Sequence, residues 1–171
     1  MKTKTKIKPE NFTFSRTKKK FGIQYKDAVF YERTEGFLFK GSYPLFESEN
    51  FKNLNDLSLS LIEAYFDYAK KKKSGNVKIV FQFATDNYLS LLIYTSSTCR
   101  SINYLITERE VITPKEVFKI QGIKRKNKKI PKGYKVIKDT VHFCHNGIKI
   151  FAQNKHLQDN VLIKLENHTN T

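Results

Sequence analysis

The chain has 171 residues, with 32 lysines and arginines against 16 acids, for a formal net charge of +16. Hydrophobic residues make up 39% and aromatics 13%, enough for a packed core, so a disordered chain, a collagen and a coiled coil are all excluded. Two cysteines exclude a disulfide-stapled secreted fold, and no run of about 18 apolar residues is present to cross a membrane.

Residues 1–20 read as a basic N-terminal arm. Phe12 and Phe14 alternate with Thr13 and Ser15, so the arm ends in a strand. It starts with charge and no apolar stretch, so no secretory signal is expected. Short strands follow at 21–25, 28–31 and 36–39, with Thr34-Glu35-Gly36 as a hairpin loop and Gly41 to Pro44 as a turn. Leu54, Leu57, Leu61, Ile62, Tyr65, Phe66 and Ala69 recur at helical spacing, which predicts an amphipathic helix over 54–73. Asn53, Asn55 or Asp56 would cap it, Lys70 to Lys73 suit its C-terminal dipole, and Ser74-Gly75 would stop it. Strands at 77–83 and 88–94 flank Asp86-Asn87 as a second hairpin, and 102–106 is a further strand. Thr113-Pro114-Lys115-Glu116 opens a short helix that ends at Gly122. A basic loop covers 123–133. Strands at 134–143 and 148–151 flank His145-Asn146-Gly147, and 161–165 is the last strand. The expected fold is a β-rich α+β domain over 21–166, with several antiparallel hairpins, one long helix and one short one. Residues 167–171 form a polar tail.

The charge is uneven. Residues 1–26 hold nine basic groups and one acid, 27–69 hold three basic groups and eight acids, and 119–138 hold nine basic groups and no acid. Such blocks are maintained when phosphates neutralise them and release counterions. A nucleic-acid partner is therefore expected, with no membrane partner and a cytoplasmic location. The expected contacts are Arg16, Lys18, Lys19 and Lys20 on the arm, Arg100, and Lys124, Arg125, Lys126, Lys128, Lys129 and Lys132 in the loop.

Catalytic patterns are weak. His142 and Cys144 share one strand face while His145 points away, and Cys99 is the only other thiol, so no zinc spacing emerges. Glu63 and Asp67 lie one helical turn apart, as on any exposed helix face. No catalytic residue and no metal ligand is assigned. A metal-free ribonuclease using His142 and Tyr134 is one alternative. An RNA-binding protein stacking bases on Phe12, Tyr25, Tyr31 or Phe39 is another, although core packing explains those rings more simply.

One stretch goes further. Thr113, Pro114, Glu116, Lys119, Gln121 and Gly122, framed by Ile112, Ile120 and Ile123, resemble the ninth conserved motif of C5-cytosine DNA methyltransferases. Asp139-Thr140 and Asn146-Gly147 are similar to part of the tenth. Lys119 and Lys124 depart from the family's arginine and proline. Neither Cys99 nor Cys144 follows a proline, and no Glu-Asn-Val or glycine-rich cofactor loop is present. The resemblance therefore implies the target-recognition part, or small subunit, of a split methyltransferase. Such a chain binds DNA in preference to RNA and is non-catalytic alone. It needs no cofactor of its own, and S-adenosylmethionine would come only through a larger catalytic partner.

Overall fold

A computed structural model describes residues 5–123, 130–154 and 159–166. The fold is α+β, dominated by antiparallel strands, with one long helix and one short one. The chain divides into two compact units: Met1–Phe81 with Ile93–Cys99, and Gln82–Leu92 with Arg100–Thr171.

In the first unit, strand period two decides which side chains meet. β1 (Phe12–Phe14) and β2 (Lys18–Lys20) both pair antiparallel with β3 (Ile23–Thr34), so the segment read as an arm is built into the sheet. β3 turns at Glu35-Gly36 into β4 (Phe37–Phe46), in the predicted hairpin. The expected break between 25 and 28 is absent. The expected turn at Gly41 to Pro44 is also absent: those residues continue β4, and Pro44, which lacks a ladder donor, is paired opposite Asp27.

A 3₁₀ turn (Glu49–Phe51) capped by Ser48 leads into α1 (Lys52–Lys72). None of the expected caps serves it. Asn55 instead reaches back to β4, accepting from the Phe46 amide at 3.0 Å and donating to the Phe46 carbonyl at 2.9 Å. Leu54, Ser58, Ile62, Phe66 and Ala69 form the buried stripe. Lys73, at φ 62, takes the left-handed ending expected of a glycine. The chain returns as β5 (Ser74–Ala84), parallel to β4 as a crossover through a helix permits.

One sheet face packs on α1. Phe66 meets Phe30 and Phe39 with ring centroids 5.1 Å away in each case. Gly75 keeps the sheet close, since a β-carbon there would come within 2.5 Å of Ala69 Cβ. The N-terminal segment is tied down too. Ile7 is buried, and its amide donates to Glu63 at 2.9 Å, while the Thr5 amide donates to Asp67 at 3.2 Å. Hydrogen bonding from Thr5 holds the Asp67 carboxyl below its ordinary range. The two acids one turn apart thus clasp backbone rather than a metal.

β6 (Tyr88–Thr95), which leaves the second unit after Leu92, β7 (Cys99–Leu105), which re-enters it at Arg100, and β8 (Glu110–Ile112) are successive neighbours in one sheet. A second sheet contains β9 (Lys135–Val136), β10 (His142–Cys144), β11 (Gly147–Asn154) and β12 (Asp159–Glu166). The predicted strand over 134–143 is broken by a 3₁₀ turn at Lys138–Thr140. The short helix α2 (Pro114–Ile120) packs with both sheets' apolar residues around Val117, Val141, Phe143, Ile148 and Ile150.

Candidate nucleic-acid interface

The face of the first-unit sheet turned away from α1 follows from register. Directly opposed residues share a face, so Arg33–Leu38–Ser74, Tyr31–Lys40–Asn76 and Val29–Ser42–Lys78 form three successive rows across β3, β4 and β5. Lys18 and Lys20 join the same face by pairing with Tyr25 and Ile23. This face presents Lys18, Lys20, Arg33, Lys40 and Lys78, and among its described residues the only acid is Asp27. That acid is already neutralised by an ion pair with Lys18, whose ammonium is held above its ordinary value first by the hydrogen bond and then by the charge.

The other acids of the 27–69 segment lie off this face. Asp56, Glu63 and Asp67 are on α1, and Glu47 pairs with Lys26 at 3.4 Å. A segment with a net negative charge therefore lines a positive surface, because alternation and the helix sort its charges onto different sides.

A concave pocket of about 440 Å³ opens on this face. Lys20, Tyr25, Asp27, Lys40, Asn76 and Lys78 are among the residues that line it. Lys20 is pinned there: its Nζ donates to the Phe81 carbonyl at 2.7 Å and lies 5.3 Å from the Phe21 ring. Arg33, Lys40 and Lys78 are exposed, and among the described residues their side chains have no ion-pair or hydrogen-bond partner.

The predicted contacts fare unequally. Lys18 and Lys20 belong to the face, while Lys19 points to the opposite side, where it borders a pocket with Gln24 and Glu47. Arg16 is exposed between β1 and β2. Arg100 and Lys132 are exposed in the second unit. Lys124, Arg125, Lys126, Lys128 and Lys129 lie outside the described residues. Arg33, Lys40 and Lys78 were missed because segment totals hide them. Strand alternation through 29–33, 38–42 and 76–80 is the signal that finds them.

The aromatic candidates separate clearly. Phe12 and Phe39 are core, with Phe12 edge-on to Tyr43 and Phe39 fully buried. Tyr25 is half-buried against Phe46 and Phe81. Tyr31 alone of the four stands open, 54% exposed.

Among its described residues, the second unit offers no comparable site. His142 is 1% exposed, and its Nδ1 faces the Thr140 carbonyl at 2.9 Å. Burial first, then the Lys149 charge, hold its imidazole below the ordinary value, against the opposing effect of that hydrogen bond. A buried neutral imidazole cannot reach an RNA strand as general acid. Burial also pushes the Cys99 and Cys144 thiols up, away from nucleophilic thiolate. No group of three or more His, Cys, Asp or Glu gathers among the described residues. His156 lies outside them.

Each residue of the methyltransferase-like motif has a local structural duty. Thr113 and Glu116 form a reciprocal capping box, with the Thr113 amide donating to Glu116 Oε2 at 2.7 Å. Pro114 opens α2, and Lys119 sits in its last turn. Gln121 donates to the Tyr88 hydroxyl at 3.0 Å, and Gly122, at φ 62, ends the helix.

No helix among the described residues is long and apolar enough to cross a membrane. No protein-family model and no curated protein sequence matches the chain. Among solved structures it is similar to a DUF3298 family protein from Pseudomonas aeruginosa PAO1, at 8% identity and a TM-score of 0.44. That match covers 84% of this chain and 88% of the other, a likeness too loose to carry a function.

Proposed function

We propose that this protein binds nucleic acid, is non-catalytic alone, and uses the open face of the β2–β5 sheet as a contact surface. The observation that carries the reading is the charge sorting on that face. Five cations face one acid that already has a partner, and three of the cations are free to meet phosphate. Like charges crowded on adjacent strands repel one another, and a polyanion removes that cost while releasing its own counterions. A cytoplasmic location suits such a partner. The basic segment 124–129 adds to the charge of the chain as a whole.

The test is affinity as a function of salt for K40E/K78E and for R33E. Each removed phosphate contact is expected to flatten the log–log salt slope by about 0.7 to 0.9 and to weaken binding. Unchanged affinity and slope in both variants would rule out this face.

A further inference from the structure

Resting on that reading, we infer that the ligand is a single-stranded nucleic acid, with an unpaired base stacked on Tyr31 and phosphates held by Arg33, Lys40 and Lys78. Tyr31 is the most exposed large hydrophobic side chain on the open face, and among the described residues it has no ring contact and no hydrogen-bond partner. Lys40 is directly across the ladder from it, and Arg33 is two residues along the same strand, on the same side. Lys78 is diagonal to Lys40 on the next strand, in the adjoining row. A flat aromatic ring thus has one cation along its own strand and one on the next, with Lys78 a further strand away.

The groups between them are polar. Ser42 and Asn76 lie beside Lys40 and Lys78 in the two rows, with Val29 at the one remaining position, and neither polar side chain has a partner among the described residues. Hydroxyl and amide groups can bond base edges, which a duplex keeps paired but a single strand presents. Leu38, 45% exposed and diagonal to Tyr31, extends the apolar floor for a second base. Stacking on such platforms accepts any base, because every base has a π-face. A duplex would offer this sheet only its backbone and leave the ring unused. Anionic lipid would suit the cations, but it gains nothing from Ser42 and Asn76, which an apolar insertion surface would replace with aliphatic groups.

The experiment measures binding of the full chain to short oligouridylate, to oligothymidylate, to a duplex of the same length and to phosphatidylserine vesicles. The wild type should prefer a single strand, and the stronger of the two single strands names the sugar. Tyr31→Ala should weaken single-strand binding by roughly 5- to 150-fold, the range that loss of one stacked base implies, without changing the salt slope. Tyr31→Phe should retain affinity. Preference for the duplex, tyrosine-dependent vesicle binding, or an indifferent Tyr31→Ala would overturn the inference. If K40E/K78E weakens binding while Tyr31→Ala does not, nucleic-acid binding by this face stands and the stacking role falls. If neither variant matters, both readings fall.

Discussion

Gly41 in β4 lies directly under Ile62 of α1, so close that a β-carbon on the glycine would meet Ile62 Cγ2 at 2.7 Å. The Phe39 ring, 3.0 Å from the same point, blocks the other way out. Gly41→Val should therefore force helix and sheet apart and destabilise the first unit by about 1–3 kcal/mol or more, with Gly41→Ala doing less. Urea unfolding followed by a first-unit probe checks this. Because Gly41 faces the helix, any variant that still folds should keep Lys40 and Ser42 on the opposite face.

The second unit contains a fully buried polar relay. Ser90 Oγ donates to Asn103 Oδ1 at 2.7 Å and accepts from the Phe143 amide at 2.9 Å, while Asn103 Nδ2 donates to the Val141 carbonyl at 2.8 Å. Ser90→Ala leaves an amide and a carbonyl oxygen without partners, for an expected loss of about 1–3 kcal/mol. Ser90→Ala and Asn103→Ala should be non-additive by about 0.5–3 kcal/mol in a double-mutant cycle. Strict additivity would mean the two side chains act separately.

His142 makes stability depend on acidity. Its folded value lies below the ordinary imidazole value of about 6.5, so well above that pH it is uncharged in both states and contributes no pH dependence. As pH falls below about 6.5, the unfolded chain takes up the proton first, and stability declines until the folded value is passed. Denaturant midpoints should therefore drop on mild acidification. His142→Asn, whose amide can still donate to the Thr140 carbonyl, should flatten that drop.

The capping box of α2 is a separate lever. Thr113→Ala removes an N-cap acceptor and should cost about 0.5–2 kcal/mol in the second unit. The Thr113 hydroxyl and amide hold the Glu116 carboxyl below its ordinary range, so the cap weakens as acid protonates Glu116. Amide exchange across 114–120 should speed up in the variant and, in the wild type, at low pH.

Lys71 and Lys72, exposed at the C-terminal end of α1, provide the control for the proposed interface. Their charges suit the helix dipole, so K71E/K72E should lower stability slightly. At about 0.15 M salt, where charges are screened within about 8 Å, it should alter oligonucleotide affinity far less than K40E/K78E. An equal loss would show that total charge, not the sheet face, governs binding.

Period and capping chemistry made much of the fold legible. The stripe from Leu54 to Ala69, the Glu35-Gly36 turn, the Asn146-Gly147 turn and the Thr113 cap each encode their geometry within a few residues. Gly41 to Pro44 misled because glycine and proline usually mark turns. Here the glycine makes room for Ile62, and Pro44 sits within a paired strand, so a long-range contact overrides the local cue. The site was harder to read. Lysine blocks are conspicuous in a sequence, but a surface is assembled across strands. Lys40 and Lys78 are 38 positions apart and become neighbours only through the parallel pairing of β4 with β5.

The chain does not complete one unit before starting the other. It leaves the first at Phe81, contributes Gln82–Leu92 to the second, and goes back for Ile93–Cys99 before departing at Arg100. No single cut can free either half intact. A fragment stopping at Phe81 lacks the returning strand end, and one starting at Arg100 lacks Ser90, on which the buried relay depends. Truncation at either boundary therefore separates segments that share one compact unit.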